Sequence, residues 1–180
     1  VRGGRLQPGE LRTSQNWIGP AGCSLREATF VPPPPHEVAG HLGDLEKFLH
    51  AETPLPTLIL IGLAHAQFET IHPFLDGNGR VARLMSYSML RDALDTGGIW
   101  SIARGLARQE ASYKQHLLSC DGPRRGDLDG RGSRSEEALA LFTKFFLQTC
   151  IDQVEFMERL VQPNRLRDRI RIWVEEEVRA

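Results

Sequence analysis

Between His72 and Arg80 the chain reads HPFLDGNGR. The stretch gathers a histidine, a carboxylate, two glycines, an asparagine and an arginine, with Arg83 following three residues later. Gly77, Asn78 and Gly79 allow a ligand to come close to the backbone at the start of a helix. The first N–H groups of a helix lack internal partners and carry the positive end of its dipole. Together these make an anion site suited to phosphate. Arg80 and Arg83 share one helix face, and two guanidinium groups there suit successive phosphates of a nucleotide. Asp76 beside a polyphosphate would seat Mg²⁺, which takes one or two carboxylates with phosphate oxygens and water. His72 titrates near neutrality and is a natural general base. Phe74 is expected to turn inward as an anchor. Taken singly, GNG is an ordinary turn, helical arginines are solvated and a lone histidine is inert; it is the conjunction that points to chemistry. No GxxxxGK[ST] is present, so this is not a P-loop. No strand precedes the glycines, so it is not a dinucleotide fingerprint.

The flanking sequence must hold this turn in place. LPTLILIGLAHAQFETI (55–71) is apolar nearly all round and predicts a buried central helix. Pro73 disfavours helix at His72, so that helix ends near Ile71. GRVARLMSYSMLRDAL (79–94) predicts the next helix, stopped by Gly97 and Gly98. Upstream, 36–50 carries Val38, Leu42, Leu45, Phe48 and Leu49 on one helical face. Downstream, 101–119 predicts one helix with Ser101 as N-cap, and PRRGDLDGRGSR (123–134) a polar loop. Ser133 and Glu136 form a capping box for a long helix over roughly 134–161. Pro163 and Asn164 break it, and one more helix follows. Residues 1–35 differ: RTSQNWIG and EATFVPPPP flank a turn-rich PAGCS and predict a short hairpin or extended arm, then a polyproline stretch. The fold class is all-α, with six or seven helices and one small β-hairpin.

Composition sets the bounds. The chain has 180 residues, 41% hydrophobic and 25% charged, with a formal net charge of -1. One core is the default, and no bulk field draws the chain to nucleic acid or membrane. Cys23, Cys120 and Cys150 are few, odd in number and unpaired in spacing, which predicts packing residues in a reducing compartment. No run of 18 apolar residues predicts a membrane helix, and no signal peptide opens the chain. The expected localisation is cytoplasmic. The start at Val1 and the close in a helical pattern predict flanking sequence at both ends.

HPFLDGNGRVAR (72–83) resembles the signature of the Fic-domain family, HxFx[D/E]GNGRxxR, matched at every specified position. RTSQNWIG, FVPPPP, DLEKFLH and HAQFETIHPF also resemble segments of bacterial Fic proteins, so the likeness covers at least 12–95. It implies an all-α Fic-fold helical bundle, divided into an N-terminal arm and flap (1–35), a core (36–161) and a C-terminal helix (162–180) leading to a further domain, through which alone nucleic acid would be met. It implies a protein adenylyltransferase, which moves AMP from ATP to a Ser, Thr or Tyr hydroxyl of a target protein. By the same resemblance His72 is the base and Asp76 the Mg²⁺ ligand. Gly77, Asn78 and Gly79 form the anion hole, with Asn78 on the α-phosphate. Arg80 and Arg83 hold the outer phosphates, and Tyr113 lines the adenine pocket, with a core tyrosine as the alternative. A flap at Gln15, Asn16, Trp17, Ile18 and Gly19 docks the target as an added strand, and a homodimer is a further implied partner. The family's inhibitory [ST]xxxE[GN] sequence is absent from the chain, which predicts an uninhibited site. Gly79 stands where kinases of the related Doc type carry lysine.

Other readings stay open. A Fic enzyme using another nucleotide or removing AMP, and a non-catalytic nucleotide-binding module, share the motif. His65, Glu69 and His72 fall on a metal-like stripe, which would make a divalent-metal hydrolase; a buried His65–Glu69 hydrogen bond is the preferred reading. DLDGRG (127–132) starts like an EF-hand loop, but Ala138 stands where its glutamate is needed. RLRDRIR (165–171) is basic and is offset by Glu175–Glu177.

Overall fold

Thr57–Ile71 is apolar on almost every side, and the chain buries it on almost every side. A computed structural model describes residues 9–94, 100–130 and 132–178. Its helices are α1 (Val38–His50), α2 (Thr57–Ile71), α3 (Asn78–Leu94), α4 (Ile102–Arg108), α5 (Glu110–Cys120), α6 (Glu136–Leu160) and α7 (Pro163–Val178). α2 packs against α1, α3, α5 and α6. One core cluster joins Ile61 and Ala66 of α2 to Ile102, Leu106, Tyr113, Phe142 and Phe146. A second joins Ala64, Phe68 and Ile71 of α2 to Val38, Leu45 and Ala82, with Phe74 packed at its edge. A helix with two buried faces has no polar stripe to spare, which is why α2 reads as hydrophobic throughout.

The all-α expectation holds among the described residues, and the expected hairpin contracts. Ile18 and Phe30 form one isolated antiparallel bridge and no strand. The Ile18 N–H donates to the Phe30 carbonyl at 2.9 Å, and the Thr29 N–H to the Ile18 carbonyl at 2.8 Å. The limbs cannot extend further. Pro20 and a 3₁₀ turn at Leu25–Glu27 occupy one side, and Pro32–Pro35 have no N–H to donate on the other.

Three local expectations change. The helix over 101–119 is two helices, because Gln109 leaves helical geometry (φ −114°, ψ 34°). Its N–H closes α4 on the Gly105 and Leu106 carbonyls, and its carbonyl starts α5 by accepting from Tyr113. α6 is capped by Ser135 and not by Ser133: the Ser135 hydroxyl accepts from the Ala138 N–H at 3.1 Å. The Ser133 carbonyl is instead held by the Arg124 N–H at 3.0 Å. The helix over 36–50 opens with a 3₁₀ turn at Pro35–Glu37 before α1 begins. Ser101 does cap α4, accepting from the Ala103 N–H. The stop at Gly97 and Gly98 lies outside the described residues.

Cys120 and Cys150 are buried and Cys23 is half-buried, and none of the three forms a disulfide. Burial pushes the Cys150 thiol up to about 12, as fits a packing residue. Among the described residues no helix is long and apolar enough to cross a membrane.

Candidate active site

α2 ends and α3 begins within one turn, and His72 is the hinge of that turn. It adopts a left-handed conformation (φ 48°, ψ 59°), the sole non-glycine positive φ among the described residues. Its N–H closes α2 on the Phe68 carbonyl at 3.0 Å. Its Nδ1 lies 3.3 Å from the Glu69 carbonyl oxygen. A carbonyl only accepts, so Nδ1 carries the proton and Nε2 is left as a free base. Burial lowers the His72 pKa, and the Arg12 charge adds to this, while the bond to Glu69 and the Asp76 charge oppose it. The imidazole is therefore neutral at physiological pH.

The turn after it is self-bracing. The Asn78 side chain is buried and spans the backbone of Phe74: Oδ1 accepts from the Phe74 N–H at 2.8 Å and Nδ2 donates to the Phe74 carbonyl at 2.7 Å. Of the Asn78 donors, only its backbone N–H is thus left to meet an anion. Gly77 has φ 89°, which favours glycine. Its carbonyl takes the Arg80 and Val81 N–H groups, both at 3.0 Å, and starts α3. Gly79 has another reason to be glycine. A Cβ there would stand 3.1 Å from Arg83 Nη1 and 3.3 Å from Glu69 Oε1. The Asp76 carboxylate accepts the Gly77 N–H at 2.6 Å and faces Arg80 Nη2 at 3.3 Å.

Beside this turn lies a cavity of about 610 Å³. Ile18 and Gly19 of the arm form one wall, Gly79 and Arg83 another, Glu69 and Tyr113 a third. Lys114, Gln115 and Asp121 add polar groups at its margin. Of the residues singled out from sequence, the cavity gathers Ile18, Gly19, Gly79, Arg83 and Tyr113. His72, Asp76, Gly77, Asn78 and Arg80 belong to the adjoining turn and do not line it. Gln15, Asn16 and Trp17 brace the arm: Gln15 Nε2 donates to the Pro32 carbonyl at 2.9 Å, Asn16 Nδ2 to the Phe74 carbonyl at 3.0 Å, and Trp17 Nε1 to the Cys23 carbonyl at 3.0 Å.

Under the cavity runs a buried polar chain that replaces the expected direct His65–Glu69 bond. The Tyr113 hydroxyl sits between the two, 2.8 Å from His65 Nε2 and 3.1 Å from Glu69 Oε1. His65 Nδ1 lies 2.8 Å from the Ser86 hydroxyl. With Glu69 ionised, Tyr113 donates to Glu69 and His65 Nε2–H to Tyr113, while the single proton of the Ser86 hydroxyl is shared between His65 Nδ1 and the Ala82 carbonyl 2.9 Å away. Burial lowers the His65 pKa to about 3, with the Arg83 charge adding to it, and it raises Tyr113 and Glu69. Glu69 Oε2 reaches to 3.9 Å from His72 Nδ1, which links the chain to the turn. Among the described residues no group of three His, Cys, Asp or Glu side chains is gathered for a metal. The metal-like stripe is a hydrogen-bonded floor.

Sequence reasoning named Glu69 only as a partner of His65, and it passed over Arg12. Glu69 stood in the stripe, and its contacts with Tyr113 and its place beside Gly79 had no local signal. Arg12 opens the RTSQNWIG segment, and nothing nearby in sequence marks that its guanidinium is buried against the loop at 71–73.

Residues 2–90 match the family model described as the Fic/DOC family. Over 90 residues, 49% of this chain and 16% of the relative, the chain is 33% identical to the protein adenylyltransferase Fic of Drosophila yakuba. Over 63 residues, 35% of this chain and 20% of the relative, it is 38% identical to a probable protein adenylyltransferase of Aquifex aeolicus. The chain thus spans about a fifth or less (16% and 20%) of the length of these curated relatives. Among solved structures, a Fic family protein from Desulfovibrio desulfuricans superposes with a TM-score of 0.68 at 24% identity, covering 88% of this chain and 43% of that one. A Fic domain containing signaling protein from Bacteroides thetaiotaomicron superposes at 0.62 and 22% identity, covering 83% and 54%. These likenesses carry the fold alone. With the motif at 72–83, the matched segment and the shared helical architecture, the chain belongs, through residues 2–90, to the Fic/DOC family.

Proposed function

We propose that the chain is a protein adenylyltransferase, moving AMP from ATP to a Ser, Thr or Tyr hydroxyl of a target protein. The observation that carries this reading is His72: a neutral imidazole with its Nδ1 proton tied to Glu69 and its Nε2 free, beside a helix start with orphan N–H groups. The relatives named protein adenylyltransferase support the reaction class.

In this reading the target hydroxyl gives its proton to His72 Nε2, and its oxygen attacks the α-phosphorus. The new O–P bond forms as the bond to pyrophosphate breaks. The N–H groups of Asn78 and Gly79 meet the developing charge, and Arg83 holds the outer phosphates from the cavity wall. Arg80 would leave Asp76 to join them. The Tyr113 ring offers an apolar face to the base, since its hydroxyl is already engaged below. Asp76 is one half-exposed carboxylate, and among the described residues no group of three His, Cys, Asp or Glu joins it, so it fits Mg²⁺ in company with phosphate oxygens and water. When bound, the ion would offset phosphate charge.

The arm is proposed as the flap that docks the target. Ile18, 42% exposed, and Trp17, 41% exposed, present apolar side chains beside the bridge to Phe30. Trp17→Ala should weaken target modification and spare nucleotide affinity; a variant modifying target at the parent rate removes the arm from recognition. For the reaction itself, the test is incubation with α-labelled ATP and Mg²⁺ beside His72→Ala. Label on the parent and none on the variant is expected. Equal label on both would overturn His72 as the base, and no label on either would favour another nucleotide or a binding role.

A further inference from the structure

The arm reaches the catalytic turn through one side chain. Arg12 is 2% exposed, an unusual place for a guanidinium. Its Nε donates to the His72 carbonyl at 2.8 Å. Its Nη2 donates to the Pro33 carbonyl at 2.5 Å and reaches the Ile71 carbonyl at 3.4 Å. Its own N–H donates to the Pro73 carbonyl at 2.9 Å. Asn16 then takes the Phe74 carbonyl. Four successive carbonyls, Ile71 to Phe74, are therefore all received by the arm.

The carbonyls of Pro73 and Phe74 belong to the turn beyond α2, but Ile71 is the last residue of α2 and His72 its C-cap, so the first two sit at the negative end of the helix dipole. A cation is favoured there, and a planar fork can hold several carbonyls where an ammonium holds one direction at a time. The carbonyl that Arg12 Nε grips belongs to His72, the residue whose backbone is left-handed. Such a conformation persists only when its surroundings over-determine it. The guanidinium also leaves Nη1 buried without a partner. A site selected for stability alone would avoid that cost.

We propose that Arg12 is a positioning residue for the reaction at His72. It holds the imidazole's backbone in the left-handed turn, and it fastens the arm and the catalytic turn into one body through Pro33 and His72. The inference rests on the reading of His72 as base. Its consequence is that the arm cannot shift without moving His72, so the wall of the cavity formed by Ile18 and Gly19 and the base keep one fixed distance.

The test is Arg12→Lys, which keeps the charge and loses the fork, beside Arg12→Gln. For Arg12→Lys we expect kcat for label transfer to fall about tenfold to a hundredfold, since a small misplacement of a base costs that much. KM for ATP should change less than kcat, because Gly79, Arg83 and Tyr113 keep their places in the cavity wall when the arm loosens. A merely structural role would lower the folded fraction, and so the apparent enzyme concentration, without changing the pH dependence or the kcat of folded protein normalised by active-site titration. Amide hydrogen exchange gives a readout that needs no activity: Arg12→Lys should lose protection together at 12–18 and 71–74 while the amides of α6 keep theirs. If the parent transfers no AMP, the function proposed above fails and exchange still decides the clasp. Parent-like kcat with parent-like exchange in Arg12→Lys overturns the proposal. Should Arg12→Gln fail to fold, Arg12→Lys decides it alone.

Discussion

Removing one oxygen from Tyr113 should expose how the floor of the cavity is held. In Tyr113→Phe the ring keeps its place and the hydroxyl between His65 and Glu69 is lost. The two partners do not suffer equally. Glu69 lines the cavity, so water can replace the lost donor. His65 is 0% exposed and packed between Phe142 and Phe146, with ring centroids 6.0 and 5.4 Å away. No water reaches its Nε2–H. Leaving a buried donor unpaired costs about 1–3 kcal/mol. For a chain of this size that corresponds to a fall in Tm of roughly 2–12 °C.

The imidazole has one escape, and it can be observed. Its proton can move from Nε2 to Nδ1 and be donated to Ser86, whose own proton then goes to the Ala82 carbonyl 2.9 Å away. That exchanges an unpaired donor for an unpaired acceptor and places the loss at the lower end of the range. The assay is thermal unfolding by circular dichroism at neutral pH, with the His65 tautomer read from ring ¹⁵N shifts. Parent protein should show Nε2–H, and Tyr113→Phe should show either a large Tm loss with Nε2–H or a small one with Nδ1–H. An unchanged Tm with an unchanged tautomer would refute the chain Ser86–His65–Tyr113–Glu69.

Further expectations follow from packing and charge. Gly105→Ala puts a Cβ 2.5 Å from Thr149 Cγ2 and 3.0 Å from Gln153, so α4 must lift from α6; overpacking of this kind costs about 1–3 kcal/mol, and a Tm equal to the parent's would deny the close approach. Ser135→Ala removes the cap at the start of α6 and should lower unfolding free energy by about 1 kcal/mol in urea titration, whereas Ser133→Ala should leave it unchanged. Stability should fall in acid. The folded pKa of His65 is lowered to about 3, so as pH drops below its unfolded value of about 6.5 the unfolded chain takes a proton that the fold refuses, at up to about 1.4 kcal/mol per pH unit. His72, also lowered, acts in the same direction. Glu69, raised by burial, opposes both in the window above its ordinary value. Urea titrations at pH 7 and pH 4.5 should show the lower stability at pH 4.5; equal values would refute the dominance of the buried histidines over Glu69 in this window.

What sequence made legible was local, and what it hid was long-range. α2 reads as central because its apolarity has no gap, and two core clusters use it. The end of α2 at Ile71 follows from Pro73 alone. The Gly77 turn follows from a residue type that tolerates φ 89°. Gln109 carries no breaker signal; its departure from helix lets α4 lie on α6 while α5 turns Tyr113 toward α2. Ser133 and Ser135 both satisfy capping rules, and the choice fell to Ser135 because the Ser133 carbonyl is paired across the loop to Arg124. Arg12 and His72 are sixty positions apart, and Tyr113 lies forty-eight from His65. Contacts at that separation come from the fold and leave no periodicity to read.

The turn at 72–77 separates charge in a way that neither helix achieves alone. α2 ends there with its carbonyls, and α3 starts there with its N–H groups. If both ends were open, a phosphate drawn to one would be repelled by the other. The arm covers the negative end, with Arg12 taking the carbonyls of Ile71, the last residue of α2, and His72, its C-cap, and it also takes those of Pro73 and Phe74 in the turn beyond. The positive end stays unsealed, since the Asn78 side chain is spent on Phe74 and does not cap its own helix. His72 stands at the boundary, with its proton turned back toward α2 and its basic nitrogen released from it. An anion site beside a free base is therefore a consequence of which helix end the arm covers. An arm with the same glycines and arginines beneath it but no Arg12 would leave that polarity unresolved.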